Sequence, residues 1–453
     1  MKNAPVVRID IVRALPCAVL LAGLAFQPAA TQTAERSAPG IVPPADLASL
    51  IEEAQAGHPA LKAASARLQA ATSLSSQAEA PPDPEISVSY VNDGVSSFTL
   101  GESEFSTLSL TWTQEVPYPG KLGGAGKIAA QATERASREL DLVRLEIAST
   151  VKSAYADLYR LDRVGAILEE TRAVLDSLAQ TAMRRYEVGL GIQENVLKSQ
   201  TGILRVEAEL IRIHQDRRAA EARLNAAVGR SAGIPVGAAA ALPEGALPPD
   251  PGALAEIAVA ASPEISALAA AVRQREAGAH LARLELKPDF LWSASYQNRG
   301  GLEPMVAAMF GVRLPLYRER KQSQALLQAD SELQAARHEL SDRQIRIRAS
   351  VAEMVSRVER AARLAILYEQ GVIPQARGTL ESALASYAVG RIAFLDVLND
   401  LTVLLESRIE LASQEADRLQ ALAALEPLVA MEIVPVSRAK QEEGRGGQHG
   451  IPR

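Results

Sequence analysis

Two periods of hydrophobicity organise this chain. In PEISVSY, Ile86, Val88 and Tyr90 alternate with Ser87 and Ser89; in FSTLSLTWTQEV (Phe105–Val116), Leu108, Leu110 and Trp112 alternate with Ser109, Thr111 and Thr113. Phe290, Trp292, Ala294 and Tyr296 alternate with Leu291, Ser293, Ser295 and Gln297. A weaker fourth segment, Met305–Leu316, puts Val306, Phe310, Val312 and Leu314 on one parity. A period of two sends successive side chains to opposite faces, so each segment predicts a strand. Elsewhere the period is seven: Leu140, Ile147, Ala154, Leu161, Leu168 and Leu175 in one run, and Leu326, Leu333, Leu340, Ile347, Met354, Ala361 and Tyr368 in another. Sustained sevens predict coiled-coil packing of long helices. The first run has no proline from Leu122 to Glu187 and would reach roughly 100 Å at a helical rise. Pro374 should interrupt the second run, because proline removes a helical donor and crowds the preceding turn.

The two runs belong to two copies of one plan. RYEVGLGIQENVL (Arg185–Leu197) is echoed by SYAVGRIAFLDVL (Ser386–Leu398), and the flanking landmarks repeat in the same order. HPAL at His58 answers SPEI at Ser262, Pro82-Asp83 answers Pro288-Asp289, and VPYPGK (Val116–Lys121) answers LPLYRERK (Leu314–Lys321). Such self-similarity marks a tandem duplication. Each Tyr-x-Val-Gly then reads as the end of a long helix, with Gly189 or Gly390 as its cap and an amphipathic helix returning beyond it. The plan divides the chain into a first repeat (35–228), a Gly/Pro/Ala connector (229–252), a second repeat (253–431) and a polar tail (432–453) expected to be disordered.

Composition changes the picture at the N-terminus. Lys2, Arg8 and Arg13 precede a short apolar run, Ala14–Phe26, and then small residues, which predicts a signal peptide over 1–34. That run is too short to span a bilayer as a helix. The single cysteine, Cys17, lies inside it, so the exported chain should carry no disulfide. A net charge of −6 leaves no basic footprint for nucleic acid.

An exported chain without a later apolar helix could enter a membrane only through its strands. Two soluble hairpins packed on the helices would also alternate. They would not explain serines and threonines opposite large apolar residues, whereas a transmembrane barrel puts one parity in lipid and the other in a wet lumen. Barrels begin at about eight strands, and this chain offers four. Several chains must then share one barrel, and the pattern alone leaves open whether two or three do. The expected class is mainly α with a small β part.

With the duplicated helix–hairpin–helix plan, RYEVGL at one tip and AFLDVLNDLTVLLESRIEL (Ala393–Leu411) after the other, the chain resembles the TolC family of outer membrane efflux channels. The resemblance covers Leu47 to Met431. It implies a homotrimer with a twelve-stranded outer membrane barrel and a periplasmic α-helical tunnel. It also implies two protein partners, a periplasmic adaptor (membrane fusion) protein and an inner membrane efflux pump. By position it assigns Asp396 to a pore constriction, with Tyr387 as a helix-tethering residue. Asn399 stands where many relatives carry a second acid, with Asp400 beside it, and Arg391 lies one place before a tethering arginine. Val188, Gly189 and Leu190 resemble the tip that adaptors contact, and Val389, Gly390 and Arg391 are their counterparts. VPYPGK and Pro374 resemble the branch serving heavy-metal cation pumps.

The residues themselves give Asp396 two readings: one of a ring of carboxylates attracting cations at a narrow point, or a first-turn acid favoured by the helix dipole. No catalytic constellation appears. GGAGK (Gly123–Lys127) has Lys121 where a phosphate loop needs glycine, and Ile128 where it needs Ser or Thr. The histidines are scattered, which argues against a metal site, and no cofactor is implied. The alternative to a channel is a structural or adaptor-type periplasmic coiled coil with no pore.

Overall fold

The computed structural model describes residues 44–435, apart from 246, 248 and 249. The expected signal segment and everything beyond 435 lie outside the described residues.

The duplication is visible element by element. The first repeat runs α1 (Leu47–Gly57), α2 (Pro59–Ala78), β1 (Glu85–Val91), β2 (Thr107–Val116), α3 (Lys121–Glu187) and α4 (Gln193–Val228). The second runs α5 (Leu254–Ala261), α6 (Pro263–Leu284), β3 (Asp289–Arg299), β4 (Leu302–Arg313), α7 (Gln322–Leu367), α8 (Ile373–Ala388) and α9 (Phe394–Val429). His58 and Ser262, paired by the repeat, each separate a short helix from one that opens on proline. Proline suits that position because its missing N–H would have no helical partner there. His58 also caps α2, its Nδ1 accepting from the Ala60 N–H at 3.1 Å.

The four strands form one antiparallel sheet in the order β1-β2-β3-β4. The middle pairing, β2 with β3, joins the two repeats. The fourth strand begins and ends three residues earlier than Met305–Leu316; it starts where Leu302 pairs with Arg299, and it ends before Pro315, which has no N–H to continue the ladder.

Helix α3 is 67 residues long, and the expected stripe is its core face. Leu140, Ile147, Leu161, Leu168 and Leu175 are buried, with Val151, Leu158 and Leu178 beside them; Ala154 is half-buried. On α7 the stripe is barer: Leu333, Ile347 and Ala361 are buried, but Leu326, Leu340 and Met354 are only half-covered. The interruption expected at Pro374 takes the form of a single π turn, Tyr368–Val372. Widening that one turn accommodates the lost donor and the ring without ending the helix, and Ile373 stays helical at φ −64° and ψ −45°.

The connector and the start of the expected tail are both fastened to the helices. In the connector, Ala239 N–H donates to Asp162 at 2.9 Å, Arg217 donates to the carbonyls of Val236 and Gly237, and Arg418 donates to that of Gly245. Ile433 and Val434, placed in the polar tail by sequence, are buried. The cause is a buried ion pair: Lys152 Nζ lies 2.7 Å from Glu426, and it also donates to the Val434 carbonyl at 3.0 Å. Glu426 accepts in turn from the N–H groups of Ile433 and Val434. A pair of charges taken out of water needs such extra partners, and the chain end supplies them.

Candidate functional site

The residues singled out in the sequence gather at the two tips where long helices reverse. Both reversals need a left-handed residue, and glycine supplies it: φ is 71° at Gly189 and 77° at Gly390. In each, the N–H after the glycine bonds back to the carbonyl five residues earlier: Leu190 to Arg185 at 2.8 Å, Arg391 to Ser386 at 2.9 Å. That closes the orphan carbonyls of α3 and α8 and fixes the exit direction of the returning helix. Val188, Gly189, Leu190, Val389, Gly390 and Arg391 are all exposed at the turns.

The tyrosines of the repeated phrase have diverged. Tyr186 is 45% exposed, whereas Tyr387 is 3% exposed, its ring edge-on to Phe394 with centroids 5.6 Å apart. Above Tyr387 lies the guanidinium of Arg185, from the other tip, 5.2 Å from the ring centroid. The same guanidinium donates to the carbonyls of Tyr387 (3.1 Å), Ala388 (2.9 Å) and Leu190 (3.2 Å). One side chain thus ties the end of α8 to the turn after α3. The Tyr387 hydroxyl faces Asn195 without closing a hydrogen bond of normal geometry. Burial pushes its pKa above the ordinary tyrosine value, while the Arg185 charge and Asn195 pull the other way.

Asp396 sits in the first turn of α9, where its carboxylate accepts from the Ala393 N–H at 3.2 Å. It is exposed, as is Asn399, while Asp400 is half-buried and the Arg391 side chain is exposed. The structure therefore brings Tyr387 to Arg185 and Asn195, and leaves Asp396, Asn399 and Arg391 open to solvent on one protomer. Among the described residues no group of His, Cys, Asp and Glu is arranged to hold a metal ion.

At the sheet, strand register settles which side chains share a face. Ile86 lies opposite Trp112, Trp112 opposite Ala294, and Ala294 opposite Ala308. Val88, Leu110, Tyr296 and Val306 form a second such row. The four apolar parities therefore make one continuous face, and Ile86, Val88, Leu110, Trp112, Trp292, Val306 and Phe310 on it are exposed. The other face carries Ser87, Thr111, Thr113, Ser293 and Ser295. Among the described residues no single helix is long and apolar enough to cross a bilayer.

Residues 50–230 and 254–430 match the family described as outer membrane efflux protein. The chain belongs to that family. Outer membrane efflux protein BepC of Brucella suis biovar 1 (strain 1330) is 26% identical over 280 residues, which is 60% of this chain and 60% of BepC. The matched stretch thus spans less than two thirds of that relative's length. The outer membrane protein VceC of Vibrio cholerae has the same fold, with a TM-score of 0.73 at 22% identity over 84% of this chain and 95% of VceC. CusC gives 0.74 at 15% identity over 88% and 95%.

Within this efflux-protein fold, the residues that sequence reading missed are Arg185, Asn195 and Phe394. A signal for them existed. Aligning the two tips sets Arg185 against Ser386, Asn195 against Asp396 and Phe394 against Gln193. The copies differ at all three positions: Arg185 and Asn195 approach Tyr387 from the other tip, and Phe394 packs on it within its own.

Proposed function

We propose that this chain is one protomer of an outer membrane efflux channel, the exit duct through which an inner membrane pump and a periplasmic adaptor pass substrates outward. The observation that carries the proposal is the four-stranded sheet with one continuous exposed apolar face and unpaired outer strands β1 and β4. In lipid every backbone polar group must find a partner, so an open sheet is admissible only when other copies close it into a barrel. Three copies would make twelve strands, the homotrimer that the family resemblance implies. Apolar residues then face lipid, and serines and threonines face the wet lumen.

The helical tips, at the far end of α3 from the sheet, are the periplasmic mouth in this reading. Val188, Gly189, Leu190, Val389, Gly390 and Arg391 are the surface offered to the adaptor. Asp396, with Asn399 and Asp400, lines the constriction, where symmetry-related carboxylates would favour cations. Tyr387 and Arg185 brace that mouth. Transport is the activity of such a protein, and no residue is assigned a catalytic role.

A purely structural coiled coil would share the helices but would have no use for the apolar sheet face. The test is extraction and conductance. The channel reading expects a protein released from outer membranes only by detergent, a heat-sensitive oligomer on gels, and ion-conducting events in planar bilayers. A monodisperse monomer in plain buffer would overturn it. For cargo, VPYPGK and Pro374 favour partnership with a heavy-metal cation pump. Deleting the gene should then sensitise cells to metal cations, and a strain sensitised only to organic drugs would remove that assignment.

A further inference from the structure

All the helices that meet the sheet do so at one end of it. Helices α2 and α6 finish shortly before β1 and β3, and α3 and α7 begin shortly after β2 and β4; the strand-to-strand turns lie at the other end. The helices are the periplasmic part of this outer membrane family, so the helix end of the sheet faces the periplasm. The leaflet on that side is built of phospholipid. An aromatic belt marks its level: Trp292 and Phe310 have ring centroids 4.9 Å apart, and Phe290 stacks on Phe310 at 5.9 Å. All three stand close to the strand ends Asp289 and Arg313. Such rings collect where headgroups meet hydrocarbon.

The two repeats diverge just beyond this belt. Residues 117–120 join β2 to α3 and carry no charge, whereas the longer segment 314–321 joins β4 to α7 and carries Arg318, Arg320 and Lys321 against one acid, Glu319. Leu316 and Tyr317 in it are 81% and 77% exposed, and the three cations are exposed as well. Apolar side chains followed by cations suit a headgroup layer, where the first enter the acyl boundary and the second meet phosphate.

A cavity of about 410 Å³ opens at this joint, walled in part by Lys287, Arg313, Leu314, Leu316, Tyr317 and Lys321. Its charges do not cancel. Lys121, also in the wall, is held by Asp289 at 2.8 Å and Glu285 at 3.2 Å, and Arg313 pairs with Glu115. Lys287 and Lys321 have no counter-ion among the described residues. Gln322, in the same wall, has a buried side-chain oxygen that accepts from nothing, and such an atom calls for a donor. Leu314 continues the parity of Phe310 and Val312, so the apolar wall runs on into the exposed face of the sheet. The complementary molecule carries a phosphate, a donor beside it and a hydrocarbon body. Free phosphate would leave Leu316 and Tyr317 in water, and a choline headgroup has no N–H or O–H for Gln322.

We propose that this cavity is a phospholipid site in the periplasmic leaflet. Lys287 and Lys321 hold the phosphate, Gln322 accepts from the N–H or O–H of an ethanolamine or glycerol headgroup, and Leu314, Leu316 and Tyr317 flank the acyl chains. Arg318 and Arg320 extend the contact to neighbouring phosphates. The site rests on the reading of the sheet in lipid given above and adds the lipid that seats it.

The test uses the full-length protein, extracted in detergent and stripped of lipid. Phosphatidylethanolamine, phosphatidylglycerol or phosphatidylcholine is added, and the lipid retained per protomer is read by native mass spectrometry. The two donor-bearing lipids should be retained about tenfold better than phosphatidylcholine. Gln322→Leu should erase that preference, and Lys287→Gln/Lys321→Gln should weaken retention of all three by about tenfold or more. Equal retention of the three lipids by the parent would overturn the site, as would their displacement by equimolar inorganic phosphate. A Lys287→Gln/Lys321→Gln oligomer that falls apart in lipid-free detergent, while the parent's holds, would overturn it too, because the lysines would then serve contacts between copies. A conducting, detergent-dependent oligomer with no lipid preference would sink this site and leave the channel standing. A monomer released into plain buffer would remove the channel reading and the site with it.

Discussion

The guanidinium of Arg185 lies 5.2 Å from the centroid of the Tyr387 ring, although the two residues belong to different repeats. Its donors reach the carbonyls of Tyr387, Ala388 and Leu190, so charge, ring and two helix ends are fastened at one point. Replacing it should loosen the tips. Arg185→Ala removes three charge-assisted hydrogen bonds and a cation–π contact at a partly exposed place, a loss of about 2 kcal/mol. Arg185→Lys should recover little, because an ammonium has no planar fork to span three carbonyls. Single-channel recordings should show larger or more frequent openings for Arg185→Ala. Recordings matching the parent, together with unchanged protease resistance at Gly189 and Gly390, would show that the bracing is not needed.

Asp396 carries two roles that one pair of substitutions separates. Its carboxylate accepts from the Ala393 N–H, and in the proposed channel it also places a charge at the mouth. Asp396→Asn keeps an acceptor for the helix start but loses the charge; Asp396→Ala loses both and should cost about 1 kcal/mol more in tip stability. The expected outcome is equal loss of cation preference and of block by multivalent cations in both variants, with only Asp396→Ala melting earlier. Retained cation preference in Asp396→Asn would return this residue to a capping role alone.

How much of this was readable without coordinates follows from the range of each interaction. The stripe through Leu140, Ile147 and Leu161 and the alternation through Leu108, Leu110 and Trp112 are local periodicities, and both elements formed as their periods require. The Gly189 and Gly390 reversals were legible for the same reason. The Arg185–Tyr387 and Lys152–Glu426 contacts were not, since they join residues about two hundred or more positions apart and no period announces them. Ile433 and Val434 were assigned to a polar tail because the stretch that follows, from Ser437 onward, is polar; their burial is set by Glu426 and Lys152.

The Lys152–Glu426 pair supports a prediction about stability. Removing one partner leaves a charge buried without a counter-ion, so Lys152→Met should cost about 3–5 kcal/mol. In Lys152→Met/Glu426→Leu no charge is stranded, and most of that loss should return. The recovery should be incomplete, because Glu426 also accepts from the N–H groups of Ile433 and Val434, which the double variant leaves without it. Thermal melting of the detergent-solubilised protein measures all three forms. A double variant no more stable than Lys152→Met would mean that the pair contributes packing rather than charge compensation.

Tyr155 predicts a response to alkali. It is buried, its hydroxyl donates to the Ala45 carbonyl at 3.2 Å, and burial pushes its pKa up to about 12 from an ordinary 10.0. A raised pKa means the folded state prefers the neutral phenol. Its contribution is whole below pH 10 and is lost as the pH climbs towards 12, an amount of about 3 kcal/mol over two pH units. Tyr155→Phe cannot ionise, so it should be slightly less stable at neutral pH, through loss of one hydrogen bond, yet should resist alkali better. Melting curves between pH 9 and pH 12 read the difference. Parallel pH profiles for Tyr155→Phe and the parent would contradict the burial of this phenol.

The two faces of the sheet can be told apart by one charge. Leu110 and Thr111 are neighbours in β2, but Leu110 lies in the row of Val88, Tyr296 and Val306, while Thr111 lies opposite Ser87 and Ser295. If the first row meets lipid, an arginine there must bring its charge into hydrocarbon, at a cost of about 2–4 kcal/mol near the bilayer midplane. An arginine at Thr111 would enter the wet lumen at little cost and alter the field along the pore. Leu110→Arg should therefore reduce the assembled protein recovered from outer membranes, whereas Thr111→Arg should assemble normally and shift conductance towards anions. Should the tolerances come out reversed, the sheet faces would be inverted. Equal tolerance at both positions would place the sheet in water and return the chain to a periplasmic scaffold.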